Sequence, residues 1–353
     1  MATSAQHEEG RSAAGPVVWC LASAMLFGAS TPASKFLLGE VGPLWLAGLL
    51  YAGAALSVAP RALRALPSRA SITRSDLLHL GGAVVFGGIV GPVLLLSGLA
   101  IAPAASVSLW LVLETVATAV LAALFFKEHL TARTWLSVAL VVAGSAMLSS
   151  GEAGSGRAVL LVSLACLAWG LDNNLTAVID RFTPAQVTFA KGVAAATVNL
   201  GAGALLEGGS ASAVTIGGGL LVGALSYGAS LLLYVASAQQ LGATRSQLVF
   251  STSPAWGLLL SWLFLGERLT AAHLGASALM GAAIWLWHNE QHTHRHVHHA
   301  VSHQHMHRHD DGHHDHAHDT PCAPDAWHTH EHSHDDTDHA HEHRPDLHHR
   351  HEH

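Results

Sequence analysis

The sequence predicts an all-α polytopic membrane protein: ten transmembrane helices in two inverted five-helix repeats, followed by a disordered His-rich C-terminal tail. Three observations lead to this fold class. Long apolar runs recur from residue 16 to residue 288, and only 12% of all residues are charged, which is typical of helical membrane proteins. The segment LAALFFKEHLT (121–131) matches LSWLFLGERLT (260–270) at six of eleven positions. Finally, 25 of the 29 histidines lie from His288 onward.

Composition divides the chain into four parts. Residues 1–15 form a polar arm, residues 16–150 the first repeat, residues 156–288 the second repeat and residues 289–353 the tail. The chain up to His288 has a net charge of +2, whereas the tail has −9, so body and tail are physically distinct. The ten predicted spans cover residues 16–38, 43–60, 77–101, 104–126, 131–150, 157–179, 184–206, 214–237, 243–265 and 270–288.

The basic residues of the loops predict the orientation of these spans. With a cytoplasmic N-terminus, the inner loops hold eight Lys or Arg residues and the outer loops hold two. We therefore expect a multi-pass protein of the inner cell membrane with both termini in the cytoplasm. The inner set is Arg61, Arg64, Arg69, Arg74, Lys127, Arg133, Arg181 and Arg245, and the outer set is Arg157 and Arg268.

The repeat extends beyond the matching helix ends. Phe27-Gly28 aligns with Trp169-Gly170 at a spacing of 142 residues, and LLLSGLAIAPA (94–104) aligns with LYVASAQQLGA (233–243) at 139. Because each half contains five spans, the halves must have opposite topology, an arrangement common in alternating-access transporters. Glycines in the third and eighth spans would weaken those helices locally, either as hinges or as purely structural kinks.

Glu114 is a lone acid near the middle of the fourth predicted span. A carboxylate at that depth is costly in hydrocarbon, so it should face protein or a wet cavity, where it becomes a functional candidate. Its counterpart in the second repeat is Ser253, so only one half supplies the charge. A protonated structural acid is the alternative interpretation.

Asp172 and Lys191 are charged residues within adjacent spans. They lie at nearly equal distances from the connection around Arg181 and Phe182, so at about 1.5 Å per residue they sit at similar depth and can pair. A structural salt bridge and a substrate site both fit this pattern. Lys191 is the best candidate in the sequence for binding an anionic group of a substrate.

Further polar residues on the same spans complete the predicted substrate and coupling set. Asn173, Asn174 and Asn199 carry amides that need partners, which each other, water or a substrate would supply. Tyr227 extends the set. Glu128 and Glu267 occupy matching positions at the ends of spans four and nine, and we interpret them as helix-end anchors rather than functional groups.

Together these features resemble a known family. The two-repeat, ten-span layout, with each half closing on a glutamate (FFKEHLT, FLGERLT), is similar to that of EamA-type transporters of the drug/metabolite transporter superfamily. The stretches AWGLDNNLT and FAKG add to the likeness, which covers residues 17–287. The resemblance implies secondary transport of small organic metabolites or drugs, often their export. It implies no cargo for this chain and nothing about its tail.

The tail interleaves histidines with acids. With almost no apolar residues it cannot bury a core, so we expect it to be disordered. Neutral imidazoles at alternate positions suit Zn, Ni, Co or Cu. We expect no required cofactor, and a divalent metal only on the tail. Because histidine titrates near pH 6.5 (about its unperturbed pKa), acidification would release metal. The candidate ligands are His292, His294, His296, His298, His303, His305, His307, His309, His313, His314, His316, His318, His328, His330, His332 and His334.

Three functions remain open at this point. The first is a secondary transporter of a small organic solute, with proton coupling through Glu114 as a further hypothesis. The second is a divalent-metal exporter, and the third is a membrane-anchored metal store or sensor. The expected partners are the lipid bilayer, a small-molecule substrate and divalent metal ions, with no nucleic acid. The body lacks the motifs of an enzyme.

Overall fold

The computed structural model describes most of the membrane-embedded body and parts of the tail. The described residues are 14–64, 72–126, 132–149, 155–179, 182–208, 211–241, 246 and 249–288, together with the strand backbones 292–298, 301–307, 328–334 and 337–343. Within the body most of these residues are helical. The helices are α1 Ala14–Gly28, α2 Ser30–Leu37, α3 Pro43–Ala62, α4 Arg74–Ala83, α5 Gly91–Ile101, α6 Ala104–Trp110, α7 Leu113–Phe126, α8 Ala132–Ser149, α9 Ser155–Ala177, α10 Pro184–Leu206, α11 Ala213–Val222, α12 Ser230–Leu241, α13 Ser253–Leu265 and α14 Ala271–His288.

Among the described residues, the helices account for seven of the ten predicted spans in length and polarity. Among the described residues, seven segments are long and apolar enough to cross a bilayer. Three further apolar helices are shorter: Ala132–Leu148, Ser253–Leu265 and Ala271–Leu286. The number ten therefore stays a prediction. Large apolar side chains such as Leu78, Leu124 and Phe264 are 71–78% exposed, as expected where the surrounding medium is lipid.

The tail contains short strands where the sequence predicts disorder. Strands β1 His292–His298 and β4 Thr337–His343 pair antiparallel, as do β2 Val301–His307 and β3 His328–His334. The expected disordered tail is therefore not confirmed. Alternation of histidine with Thr, Val or Glu gives these segments the period of two that a β-strand accommodates.

The helix ends follow from local sequence. Thr73 and Thr183 cap α4 and α10, each in a capping box with the residue three positions on, Asp76 or Gln186. At the N-terminal end of span four, the cap comes from the loop that follows α13. Glu267 accepts hydrogen bonds from the Ala104 and Ala105 amides at 2.7 and 2.8 Å, which confirms its predicted role as an anchor. Glu128 lies outside the described residues.

Two π-helical segments interrupt spans three and eight at equivalent positions. They cover Val84–Val90, between α4 and α5, and Gly223–Ala229, between α11 and α12, so they are related by the repeat spacing of 139 residues. Gly87 and Gly88 of span three, and Gly223 and Gly228 of span eight, thus lie in a widened helical turn. A π-turn leaves local backbone groups in need of new partners.

In the first π segment, neighbouring side chains supply those partners. Pro92 has no N–H, so it cannot bond to the carbonyl of Gly88 four residues earlier or, in π geometry, to that of Gly87. Asn199 Nδ2 instead donates to the Gly88 oxygen at 3.2 Å, and Trp169 Nε1 donates to the Gly87 oxygen at 3.0 Å. The Tyr51 hydroxyl also donates to the Gly87 oxygen. Such compensation is essential because an unpaired backbone group in a bilayer costs several kcal/mol.

Small residues allow the two repeats to pack closely. Helices α3 and α10, which are equivalent in the repeat, pack against each other along much of their length. A Cβ at Gly192 would lie 2.9 Å from the Tyr51 carbonyl oxygen, and one at Gly48 would lie 2.8 Å from the Leu200 amide nitrogen. Close backbone approach of this kind is how membrane helices gain packing energy without a hydrophobic driving force.

Candidate functional site

Three predicted spans are broken in the middle, and the breaks meet at one cavity. Each break is a local turn rather than a gap in the helix: Ala29 in span one, Leu111-Val112 in span four and Ser251-Thr252 in span nine. Backbone hydrogen bonds continue through the first two turns, as from Ala29 N to the Met25 oxygen and from Leu111 N to the Val107 oxygen. The cavity has a volume of about 120 Å³, and its lining includes residues at all three breaks. Discontinuous helices within a bilayer are tolerated where the freed backbone lines a cavity, and they form the binding sites of many transporters.

Proline explains two of the breaks. Pro32 follows Gly28 by four residues and Pro254 follows Phe250 by four, so neither carbonyl can receive the usual helical hydrogen bond. Gly28 and Phe250 both line the cavity. The break at Leu111-Val112 has no proline or glycine in the sequence and was not anticipated.

Glu114 lies in the first turn of α7, immediately after the break, and lines the cavity. Asn173 Nδ2 on α9 donates to Glu114 Oε1 at 3.0 Å and to the Thr118 hydroxyl at 3.1 Å. Ser253, the Glu114 counterpart predicted from the repeat, lines the same cavity. The functional role of Glu114 stays a prediction.

Asp172 and Lys191 form the ion pair that their similar depth predicts. Lys191 Nζ lies 2.5 Å from Asp172 Oδ2, and the two side chains are 17% and 7% exposed. Thr176 donates to the other carboxylate oxygen, Asp172 Oδ1, at 3.1 Å. The carboxylate packs directly on Gly87 of the first π segment, where an added Cβ would overlap it. Neither residue is part of the cavity lining.

The other predicted site residues fall into two groups: buried amides that link helices, and an aromatic side chain beside the cavity. Asn174 and Asn199 are buried and hold helices together: Asn174 Nδ2 donates to the carbonyls of Thr118 and Gly170, at 3.1 and 2.8 Å. Tyr227 belongs to an aromatic group beside the cavity, stacked on Tyr51 at 6.1 Å and edge-on to Phe27 at 5.9 Å.

Several lining residues were absent from the sequence-based set. They include Phe27, Thr31, Ser108 and Phe250, with Phe27 and Phe250 at a ring-centroid distance of 5.4 Å. The Gly28–Pro32 and Phe250–Pro254 spacings were the available signal for two of the breaks. Ser108, by contrast, looks like any hydroxyl in a small-residue helix.

The predicted metal ligands all belong to the tail, between residues 292 and 334. Within the described part of the chain, no three His, Cys, Asp or Glu side chains come together as a metal site. The backbones of β1, β2 and β3 include His292, His303 and His328, whereas His309, His313, His314, His316 and His318 lie outside the described residues. Metal binding by the tail stays a prediction.

The fold and the cavity define a multi-pass membrane protein built from two repeats, with a polar site at helix breaks. Residues 15–150 and 156–287 match the EamA-like transporter family, one match per repeat. The chain therefore belongs to the EamA-like transporter family, as the sequence motifs indicated. Members of this family are transporters rather than enzymes.

Solved structures support the fold. Fifteen chains of known structure match. One of them, described only as "Crystal structure of protein", is 15% identical with a TM-score of 0.55, over 78% of this chain and 96% of the solved chain. At that identity the likeness concerns the fold alone. No curated protein matches the sequence.

Proposed function

We propose that this protein is a secondary transporter that exports a small organic solute across the inner cell membrane by alternating access around the central cavity. The convergence of three broken spans on a cavity that contains Glu114 is the observation that carries this proposal. Membership of the EamA-like family supports a transporter role. The two π segments, at equivalent positions of the repeats, are the natural places for each half to bend.

Proton coupling through Glu114 is part of the proposal. The carboxylate faces the cavity, where a proton and a solute would meet, and Asn173 holds one of its oxygens. A group that alternately binds a proton and a solute must be reachable from the pathway, which excludes Asp172 because Lys191 already occupies it.

Uptake into proteoliposomes tests the proposal. The full-length protein would be reconstituted, and accumulation of radiolabelled amines, amino acids and organic acids would be measured under an imposed pH gradient. We expect at least one class to accumulate, and Glu114→Gln to abolish the dependence on the gradient. Glu207→Gln is the matched control, since Glu207 caps α3 through the Leu44 and Trp45 amides, away from the cavity.

The uptake experiment distinguishes failure of the transport proposal from failure of the coupling proposal. If no solute of any class accumulates, the transport proposal is wrong. If Glu114→Gln leaves gradient-driven uptake unchanged, coupling through Glu114 is wrong while transport stands. The proposed orientation, with both termini cytoplasmic, is tested by protease access to the tail in right-side-out and inverted membrane vesicles.

A further inference from the structure

The charges around the cavity narrow the class of solute. Among the described residues, Glu114 is the one charged side chain in the lining, and the rest is aromatic, aliphatic, glycine, proline or hydroxyl. Asn173 occupies Oε1 of the carboxylate, and no described group donates a hydrogen bond to Oε2. The cavity therefore offers an acceptor with negative charge and no cationic partner.

Lys191, which the sequence favoured for binding an anion, is already paired. Its ammonium lies 2.5 Å from Asp172, and its side chain is not part of the lining. The three mid-span charges, Glu114, Asp172 and Lys191, thus sum to −1, and the unbalanced charge is the one that faces the cavity. In a medium of low dielectric constant, this charge repels anions and attracts cations over several ångströms.

The aromatic walls add a second attraction for cations. The rings of Phe27 and Phe250 line the cavity at a centroid separation of 5.4 Å, and Tyr227 meets Phe27 edge-on at 5.9 Å. The negative face of an aromatic ring attracts an ammonium or guanidinium group within about 6 Å of its centroid, and the gain is largest where water is excluded. An anion gains nothing from such faces.

We propose that the solute is a small organic cation, whose protonated or quaternary nitrogen pairs with Glu114 beside the adjoining rings of Phe27 and Phe250. This inference rests on the proposed transport function. A cavity of about 150 Å³ holds a benzene molecule, so the volume of about 120 Å³ found here suits an ion with a similar or smaller number of atoms. The hydroxyls of Thr31 and Ser253 lie in the lining, where N–H groups of the cation can donate to them.

Guanidinium and urea form the decisive pair of probes because they have nearly the same shape and differ in charge. Uptake of radiolabelled guanidinium, tetramethylammonium, urea and methanesulfonate would be compared in proteoliposomes and in protein-free liposomes. We expect protein-dependent uptake of the two cations only. Glu114→Gln should lower it about tenfold or more, the loss expected when one partner of a buried charge pair is removed.

The double variant Asp172→Asn/Lys191→Met distinguishes a cation site from an anion site. It removes the ammonium group while keeping the net charge of the three positions at −1. Uptake of guanidinium should persist in this variant, whereas an anion transporter that uses Lys191 would lose its activity. Glu207→Gln again serves as the control carboxylate.

Two results would overturn the inference. The first leaves the proposed transport function standing, and the second overturns that function as well. Protein-dependent uptake of methanesulfonate or urea without the cations shows a transporter of another solute class, so the inference fails and the proposed function stands. Absence of protein-dependent uptake of all four probes and of the wider panel of amines and acids overturns both.

Discussion

Asn173 Nδ2 lies 3.0 Å from Glu114 Oε1 and ties α9, in the second repeat, to the first turn of α7, in the first. The same amide reaches the Thr118 hydroxyl one turn further along α7. A side chain of one repeat thus orients the carboxylate supplied by the other. The arrangement has no symmetric copy, because the counterpart of Glu114 is Ser253.

Removal of this link should affect transport more than stability. Asn173 is exposed, so Asn173→Ala should change the free energy of unfolding by about 1 kcal/mol or less. Uptake should fall because the carboxylate loses its orientation. Asn174→Ala is the contrasting variant: its amide is 4% exposed and bonds to two carbonyls, so its loss should lower the melting temperature clearly. Equal uptake by Asn173→Ala and the wild type would show that the link has no role in transport.

Removal of one charge of the Asp172–Lys191 pair should reduce the stability of the protein more than removal of both charges. Lys191→Met leaves the Asp172 carboxylate, 7% exposed, without its cation, and we expect a loss of about 3–5 kcal/mol in stability. The double variant Asp172→Asn/Lys191→Met should regain most of it. Thermal unfolding in detergent measures the double-mutant cycle, and additive losses would contradict the pairing.

A methyl group at Gly87 should displace the Asp172 carboxylate and so disturb its ion pair with Lys191. Its Cβ would overlap the Asp172 carboxylate, so Gly87→Ala should destabilise the protein by about 1–3 kcal/mol. Gly81→Ala is the matched control in the same span, because a Cβ there meets nothing within 4 Å. The control should be neutral or slightly stabilising, since alanine favours helix. Equal melting temperatures for the two variants would argue against the packing of Asp172 on Gly87.

Deletion of residues 289–353 should separate metal binding from transport. The truncated chain keeps both family matches, which end at residue 287, so we expect uptake to be unchanged. Binding of Zn²⁺ or Ni²⁺, measured by equilibrium dialysis, should be lost with the tail histidines. Loss of solute uptake on truncation would instead give the tail a part in the transport cycle.

The sequence predicted contacts correctly where the position of a residue along a helix determines its depth in the membrane or its place at a helix end. The pairing of Asp172 with Lys191 followed from their equal distance to one connection, and the anchor at Glu267 followed from its place at a helix end. The break at Leu111-Val112 was not predictable in the same way, because the apolar run continues through it. Asn174 and Asn199 were chosen for polarity, yet both bond to backbone carbonyls of neighbouring helices, which only tertiary packing reveals.

The two π segments show which residues the widened helical turn does and does not require. A widened turn recurs 139 residues apart, but Pro92 stands beside only the first; the equivalent position in the second is Leu231. Proline is therefore not what produces the extra residue in the turn. Since both copies carry it at the same place, the widened turn belongs to the repeat unit itself, and each half has its own point of bending at the same depth.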